Sequence, residues 1–366
     1  MNRLWWRQVK AVIRLELKKT FFAKRGLWIY VLAALPVGLF LLYAVAMANQ
    51  HHRTASIARQ GDKPLTYQDL LAVKRGMTGQ EVIGMLGKPP VNFHWVEPRR
   101  TESGSTEQVQ HEEYRYSDGQ NDIYISLVNG EVQNVVIQEG YNFGQDAVMF
   151  AGVFQFFFLR LAVFFGCLGI FMNLFRGEVL DKSLHFYFLS PIRRDVLMIG
   201  KFLAGLLATC TIFVISELLQ TAAFFWHFND RTLNLYIYQH HGLEHAAIYV
   251  GVTILACVGY GAFFLVAGML FRNPIVPAAA ALIWEGINPF LPAVLKQFSV
   301  IYYLKSLCPV EIPVSPGTPP LFALLISNAD PISPPLAIFG ILAVASIALF
   351  VSSIQVRRME INYASE

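Results

Sequence analysis

The stretch "VMFAGVFQFFFLRLAVFFGCLGIFMNL" occupies residues 148–174 and decides the fold. Its only charged residue is Arg160. A helix that crosses a bilayer needs about 20 mostly apolar residues. The stretch therefore predicts a membrane-spanning helix. Arg160 within it is a costly charge, of the kind that is normally paired or faces a water-filled cavity.

Five further apolar segments have a comparable length, and they lie at 27–48, 198–226, 246–271, 275–295 and 334–356. Only 15% of the residues are charged, against about 25% in soluble domains. The segment 275–295 contains Glu285, Asn288 and two prolines, so we expect its helix to break before it crosses fully. The sequence predicts a mainly α polytopic membrane protein with six transmembrane helices, an N-terminal interfacial helix and a small α+β domain between spans 1 and 2.

Lysines and arginines indicate the orientation, because they concentrate on the cytoplasmic side of membrane proteins. Eight of them precede span 1, five follow span 2, and Arg357 and Arg358 follow span 6. Both termini are therefore expected in the cytoplasm, and the insert is expected on the outer side of the membrane. The predicted parts are 1–26 (interfacial helix), 27–49 (span 1), 50–146 (insert), 147–358 (spans 2–6, with a cytoplasmic loop 175–197 and a proline-rich outer loop 309–335) and 359–366 (cytoplasmic tail).

The first predicted part is an amphipathic helix over residues 4–22. Its basic residues share one face at helical spacing, and its aromatic and aliphatic residues occupy the other. This pattern is typical of a helix that lies among lipid headgroups. Glu16 falls on the apolar side near Val12 and Ile13, which a plain lipid anchor would not need.

The insert 50–146 is polar and carries turn signals. Short helices are predicted at Thr66–Leu71 and Thr78–Leu86, the second opened by a capping box of Thr78 and Glu81. Four strands are predicted at Val91–Trp95, Glu113–Tyr116, Ile123–Val128 and Val132–Ile137. Asn129-Gly130 predicts a type I′ hairpin between the last two. Residues Arg99–Gln110 are expected to form a polar loop.

Motifs for chemistry are weak. The chain has no P-loop, no nucleophile elbow and no His-Glu-x-x-His pattern. His241, Glu244 and His245 form the densest ligand-like group, but an interfacial loop rich in histidine explains it more simply. We therefore expect no enzyme activity, no bound metal and no cofactor in this chain.

Three charges fall inside the predicted spans, namely Arg160, Glu217 and Glu285. Arg160 and Glu217 are expected at similar depths, and pairing with each other is one interpretation. Glu285 is a rival partner for Arg160. The other interpretation is that these residues line a substrate path.

The loop after span 2 reads "FRGEVLDKSLHFYFLSPIRRDVLMIGKF" over 175–202. This segment resembles the first cytoplasmic loop of ABC-2 transporter permease subunits. The run "VIRLELKKTFFAKR" at 12–25 is similar to that family's interfacial helix, including its glutamate. Further matches are "YGAFFLVAGMLFRNP" at 260–274, "WEGINPFLP" at 284–292 and "YYLKSL" at 302–307. Together they cover most of the chain outside the insert.

The resemblance implies that this chain takes force from a separate ATPase subunit dimer, which would hold the ATP and Mg. A short aromatic helix in the loop suits a groove in such a partner, because buried aromatic residues supply most interface energy. The residues that we expect to couple the two subunits are Glu16, Glu178, Leu184, Phe186, Tyr187, Phe188, Pro191, Arg193 and Arg194. An aromatic belt at the membrane surface is the simpler alternative for this stretch.

The insert has a second resemblance. "VKRGMTGQEVIGMLGKPP" at 73–90, "YRY" at 114–116 and "IYISLVNGEVQNVVI" at 123–137 are similar to the small BamE/SmpA domain of lipoproteins that assist outer-membrane assembly. The resemblance implies a periplasmic docking or gating module, with a passive spacer as the alternative.

Taken together, the sequence predicts the permease subunit of an ABC-2 exporter that works with a second permease copy or a paralogue, and with no nucleic acid. One alternative is a membrane-anchored scaffold for envelope assembly that acts through the insert. The other is a membrane metallohydrolase that uses His241, Glu244 and His245.

Overall fold

The computed structural model describes residues 2–22, 26–100, 106–140, 142–180, 193–271, 273, 275–313 and 332–358. The chain is mostly helical and contains one small antiparallel sheet. It divides into two compact units. The first holds residues 1–41, 144–224 and 234–366, and the second holds residues 42–143 and 225–233.

Helices make up the first unit. In chain order they are α1 (Asn2–Phe22), α2 (Leu27–Gln60, whose second half belongs to the other unit), α5 (Phe143–Gly152), a π-helical segment (Val153–Val163), α6 (Phe164–Leu180), α7 (Arg194–Phe225), α8 (Asp230–Gln239), α9 (Gly242–Leu270), α10 (Ile275–Gly286), α11 (Ala293–Lys296), α12 (Val300–Leu307) and α13 (Pro334–Arg358).

Within the described ranges, five helices are long and apolar enough to cross a membrane. They are Leu27–Gln60, Phe143–Glu178, Arg194–Phe225, Gly242–Leu270 and Pro334–Arg358. The sixth predicted span is different, because α10 has only 12 residues. At about 1.5 Å per residue it covers roughly 18 Å, whereas the hydrocarbon core is about 30 Å thick. A 3₁₀ turn at Asn288–Phe290 and α11 follow. The helix breaks where we expected, so the sixth predicted span is not a long helix among the described residues.

The helix that contains Arg160 is irregular at its centre. Residues Val153–Val163 form a π-helix between α5 and α6. Such segments are mostly a single turn and are frequent at functional sites. The buried Gln155 donates a hydrogen bond from Nε2 to the carbonyl of Val310, at 3.3 Å.

The second unit contains two short helices with the predicted caps. These are α3 (Tyr67–Leu71) and α4 (Gly79–Leu86). Thr78 accepts a hydrogen bond from the Glu81 amide, and Glu81 accepts one from the Thr78 amide in return. This hydrogen bond lowers the pKa of Glu81. The predicted capping box is therefore confirmed.

The sheet is a meander of four antiparallel strands in the order β1 (Val91–Arg100), β2 (Thr106–Ser117), β3 (Asp122–Val128) and β4 (Glu131–Gln138). Asn129 and Gly130 both have positive φ, 52° and 81°. They form the predicted two-residue turn, which requires positive φ at both positions. The helices cover one face of the sheet through a core that includes Leu70, Val82 and Ile123.

The prediction of a polar loop over residues 99–110 is wrong. The β1–β2 ladder continues to the pair Arg100↔Thr106, so only 101–105 fall outside the described part of this hairpin. Cross-strand contacts support the extension. Trp95 stacks on His111 with ring centroids 5.4 Å apart, and Glu97 Oε2 lies 3.5 Å from His111 Nε2. Polar composition alone concealed this pairing.

Candidate functional site

The buried face of α1 carries a glutamate, Glu16, in the second half of the helix. Val9, Val12 and Glu16 follow one another at helical spacing and are all buried. Gly200 of α7 lies against this face, since a Cβ at that position would come 2.9 Å from the Cβ of Val12. The absence of a side chain at Gly200 thus allows α1 and α7 to approach closely enough for Glu16 to reach the neighbouring residue, Lys201.

Lys201 is completely buried and is held by three oxygen atoms. Its Nζ donates to Glu16 Oε1 at 2.7 Å and to the Leu174 carbonyl at 2.7 Å. Glu178 Oε2 lies 2.8 Å from the same nitrogen. Lys201 is therefore a buried cation in contact with two carboxylates and one carbonyl oxygen.

Glu178 also contacts a second lysine. Lys19 Nζ lies 3.1 Å from Glu178 Oε1. We call Glu16, Lys19, Glu178 and Lys201 the charge cluster. Its two acids and two bases balance in formal charge. Burial raises the pKa of Glu16, and the attraction of Lys201 opposes that rise. A buried pair of this kind is strongly destabilised when one partner is removed.

The charge cluster joins three segments that are far apart in sequence. Glu16 and Lys19 belong to α1, Glu178 lies in the last turn of α6, and Lys201 lies about two turns into α7. Residues 181–192 connect the last two helices and lie outside the described residues. The predicted coupling residues Leu184, Phe186, Tyr187, Phe188 and Pro191 fall in that segment. The structure thus describes the two helix ends from which the segment departs.

Hydrogen bonds join the first residues of α7 to the end of α13. Asp195 accepts two hydrogen bonds from Arg357 of α13, at 2.9 and 3.0 Å. Arg194 donates to the carbonyl groups of Val356 and Arg357, at 3.4 and 2.7 Å. Arg194 therefore binds the carbonyl end of α13, which the sequence did not predict. Arg193 precedes α7 and is exposed.

Among the three predicted intramembrane charges, Glu285 attracts Arg160 electrostatically, but they form no ion pair. Arg160 forms no ion pair with Glu217 or Glu285, although the structure describes all three residues. Its guanidinium lies 5.6 Å from the centre of the Phe156 ring. The expected pairing of Arg160 with Glu217 is therefore not formed.

Glu285 caps a helix instead. Its carboxylate accepts hydrogen bonds from the Ser299 hydroxyl at 2.6 Å and from the amides of Val300 and Ile301 at 3.0 Å each. These two amides open α12. A carboxylate at a helix N-terminus satisfies donors that have no partner within the helix. Glu285 thus stabilises the turn that follows the broken α10.

Glu217 is fully buried in α7 and has one hydrogen bond. Its Oε1 accepts from Thr221 at 3.1 Å, and its Oε2 has no hydrogen-bond partner. Gln220 Oε1 and the Tyr249 hydroxyl are likewise buried without one. Glu217 therefore lies in an incompletely bonded polar environment rather than in an ion pair.

The group of His241, Glu244 and His245 has few of the geometric features of a metal centre. His241 Nδ1 lies 2.9 Å from Glu244 Oε2, and the His241 and His245 rings are 6.5 Å apart. In the described part of the chain, no group of three or more His, Cys, Asp and Glu residues could hold a metal ion. The geometry gives no support to a metallohydrolase.

Sequence reasoning missed Lys201 and Lys19 as members of the site. The sequence did contain an indication of a buried lysine, because an acid on the apolar side of α1 requires a buried cation as its partner. Lys201 is an isolated cation near the start of an apolar segment. Which lysine meets which acid depends on the packing of α1 against α7, and residue spacing does not give that information.

The sequence matches no protein-family model, and no curated protein or solved structure resembles it at a significant level.

Proposed function

We propose that this chain is the membrane-spanning permease subunit of an ABC-2 type exporter, which uses ATP hydrolysed by a separate ATPase subunit. The observation that carries the proposal is the charge cluster. It fixes α1 to both helix ends that flank residues 181–192. A segment that receives a push from a partner would pass it to α1, α6 and α7 together.

The energetics suit a rigid connection. Separating Lys201 from Glu16 or Glu178 would leave an uncompensated charge out of water, which costs about 3–5 kcal/mol. The contact of Gly200 with Val12 adds close backbone packing at the same place. Movement of α7 by itself is therefore unfavourable, and the three helix ends would move as one body.

The sequence supplies the rest of the proposal. The chain has no nucleotide-binding loop of its own, so ATP and Mg would be bound by a partner ATPase dimer. The aromatic residues Phe186 and Tyr187 would dock into that partner. Basic residues cluster at the ends of the helices, which favours cytoplasmic termini in a bacterial inner membrane. A second copy or a paralogue would complete the membrane part.

The proposal can be tested by purifying the tagged full-length chain from its native cell in mild detergent. We expect an ATPase with a P-loop to co-purify. The Phe186→Ala/Tyr187→Ala variant should lose that partner, because its two anchors are removed.

The matched control is Phe350→Ala, which removes an aromatic side chain that is 68% exposed on α13. It should retain the ATPase. Absence of any P-loop ATPase from the wild-type preparation would overturn the proposal. Equal capture by the wild type and the double variant would remove Phe186 and Tyr187 from the interface.

One observation favours a second function, a scaffold for envelope assembly. The edge strand β1 exposes three large apolar side chains: Phe93 at 60%, Trp95 at 44% and Val96 at 46%. An exposed edge of this kind can accept a strand from another protein. On this alternative the insert performs the function and the helices anchor it.

The two functions differ in one outcome. A scaffold requires the β1 edge and does not require residues 181–192. Replacing Phe93 and Trp95 with Ser should then abolish function, while Phe186→Ala/Tyr187→Ala should leave it unchanged. The permease proposal predicts the reverse order of severity.

A further inference from the structure

Arg160 lacks the partner that a charge in an apolar helix normally has. Its Nε is buried and has no hydrogen-bond partner, and the side chain as a whole is only partly buried. A guanidinium presents Nε and a neighbouring terminal nitrogen as a fork that matches two oxygens of an anion. Part of this fork is therefore unsatisfied by the protein.

A second cation lies at the same aromatic ring. Lys305 Nζ is 5.9 Å from the centre of the Phe156 ring, and the guanidinium of Arg160 is 5.6 Å from it. The two side chains come from different elements, α12 and the π-helical segment. Their like charges repel each other. An anion bound near Phe156 would relieve that repulsion.

The acid that attracts Arg160, Glu285, already accepts hydrogen bonds from other groups. Glu285 exerts an electrostatic attraction on Arg160. However, both of its carboxylate oxygens accept hydrogen bonds from Ser299 and from the first amides of α12. Glu285 forms no hydrogen bond to Arg160. Because Nε is buried, an external anion would approach the guanidinium at its terminal nitrogens.

The surroundings indicate what kind of anion fits. Phe156 is partly exposed, and Leu161, the neighbour of Arg160, is 37% exposed. The site therefore has an apolar margin that acyl chains can cover. A phosphate monoester carries about −1.5 to −2 charges at neutral pH and three acceptor oxygens, which suits a guanidinium and an ammonium together.

We propose that Arg160 and Lys305 bind the phosphate group of an anionic amphiphile whose acyl chains lie along Phe156 and Leu161. This inference rests on the proposed function, because it names the substrate class of that exporter. Arg160 is the residue on which it depends, and Lys305 adds charge at the same ring.

The test uses the purified full-length chain without any ATPase, in phosphatidylcholine nanodiscs. These contain a trace of phosphatidic acid with a photoreactive group in its acyl chain. Illumination should attach the lipid to peptides that contain Phe156 or Lys305. Arg160→Gln should reduce this labelling about tenfold, which corresponds to the loss of one charged contact. Lys305→Gln should reduce it less.

Two controls keep the result interpretable. Arg160→Lys retains a cation and should retain part of the labelling. Arg358→Gln removes an exposed arginine from the end of α13 and should leave labelling unchanged. Each variant must elute as the wild type does in size-exclusion chromatography, and Arg160→Lys remains decisive if Arg160→Gln does not fold.

Competition identifies the ligand. Unlabelled phosphatidic acid should displace the probe, whereas phosphatidylcholine and inorganic phosphate should not. Displacement by inorganic phosphate alone would overturn the amphiphile in favour of a soluble anion. Equal labelling of the wild type and Arg160→Gln would overturn the site itself. Because no ATPase is present, these outcomes are independent of the capture experiment that tests the proposed function.

Discussion

The charged residues of the helical unit fall into two contrasting groups. In the charge cluster, Lys201 is fully buried and meets Glu16, Glu178 and a carbonyl oxygen. Among the residues of the predicted spans, Arg160 and Glu217 have buried atoms without hydrogen bonds and no ion pair between them. The first group pairs its buried cation with two acids, although Glu178 Oε2 accepts no hydrogen bond, and the second group holds charges without an ion pair.

This difference teaches how burial should be interpreted. A buried charge with complete internal partners fixes elements to one another, and its removal should cost stability. A buried charge without an ion-pair partner lowers stability, so its presence is a reason to search for a ligand that would bind it. Glu285 belongs with the first group, since three donors of the protein satisfy it.

The largest expected effect is that of Lys201→Met. The change leaves Glu16 and Glu178 buried beside each other without their shared cation, and it should cost about 3–5 kcal/mol of stability. The fall in the thermal midpoint of the purified chain in detergent measures this loss.

The control is Lys10→Met, which removes an exposed lysine of α1 and should change the midpoint little. The triple variant Lys201→Met/Glu16→Gln/Glu178→Gln should recover part of the loss. An unchanged midpoint in the single variant would contradict the contrast.

Gly200→Ala should have the next largest effect. The new methyl group would lie 2.9 Å from the Cβ of Val12, and overpacking of this kind costs about 1–3 kcal/mol. The thermal midpoint again measures the loss. Adding Val12→Ala should restore part of it, because the collision is removed. If the double variant were less stable than either single variant, the close approach of α1 to α7 at this position would be wrong.

Glu285→Gln should be somewhat milder. The amide keeps one acceptor oxygen for the donors at the start of α12, but the charge and one acceptor are lost, at a cost of about 1–2 kcal/mol. Hydrogen–deuterium exchange of residues 300–307 should increase, while exchange in α1 should not. An increase spread equally over both helices would mean that Glu285 does not act as a local cap.

The smallest effect is expected for Glu217→Gln. Its carboxyl group accepts one hydrogen bond from Thr221, and the amide oxygen can accept the same bond. Stability should not fall, because the change removes a buried carboxyl group that has one oxygen without a hydrogen bond, and the thermal midpoint measures this. A loss as large as that of Lys201→Met would show that Glu217 has a charged partner and would end the distinction between the two groups.

Some features could be predicted from local sequence because their causes are local. The capping box at Thr78 and the Asn129-Gly130 turn depend on residues a few positions apart, and both are confirmed. The apolar segments likewise identify five long helices, and the prolines near Glu285 mark the break after α10. Composition misled us at 99–110, where polar residues continue a strand.

The partners within the site could not be predicted in the same way. Lys201 and Glu16 are 185 positions apart, so their contact follows from helix packing. The π-helical backbone around Arg160 and the capping role of Glu285 also depend on tertiary structure. The sequence did locate Glu16 and the three intramembrane charges as unusual residues, since each is a charge in an apolar pattern. Glu178 was found only through the family resemblance of its loop.

The central claim is that the charge cluster passes force from a partner ATPase into the helices. The most direct measurement is hydrogen–deuterium exchange of the purified complex, with and without ATP and vanadate. The account predicts that nucleotide changes the exchange of α1 and of residues 174–201 in the wild-type complex. The Phe186→Ala/Tyr187→Ala chain, which no longer holds the ATPase, should show no change. Identical exchange of α1 with and without nucleotide, in a complex that holds the ATPase, would contradict it.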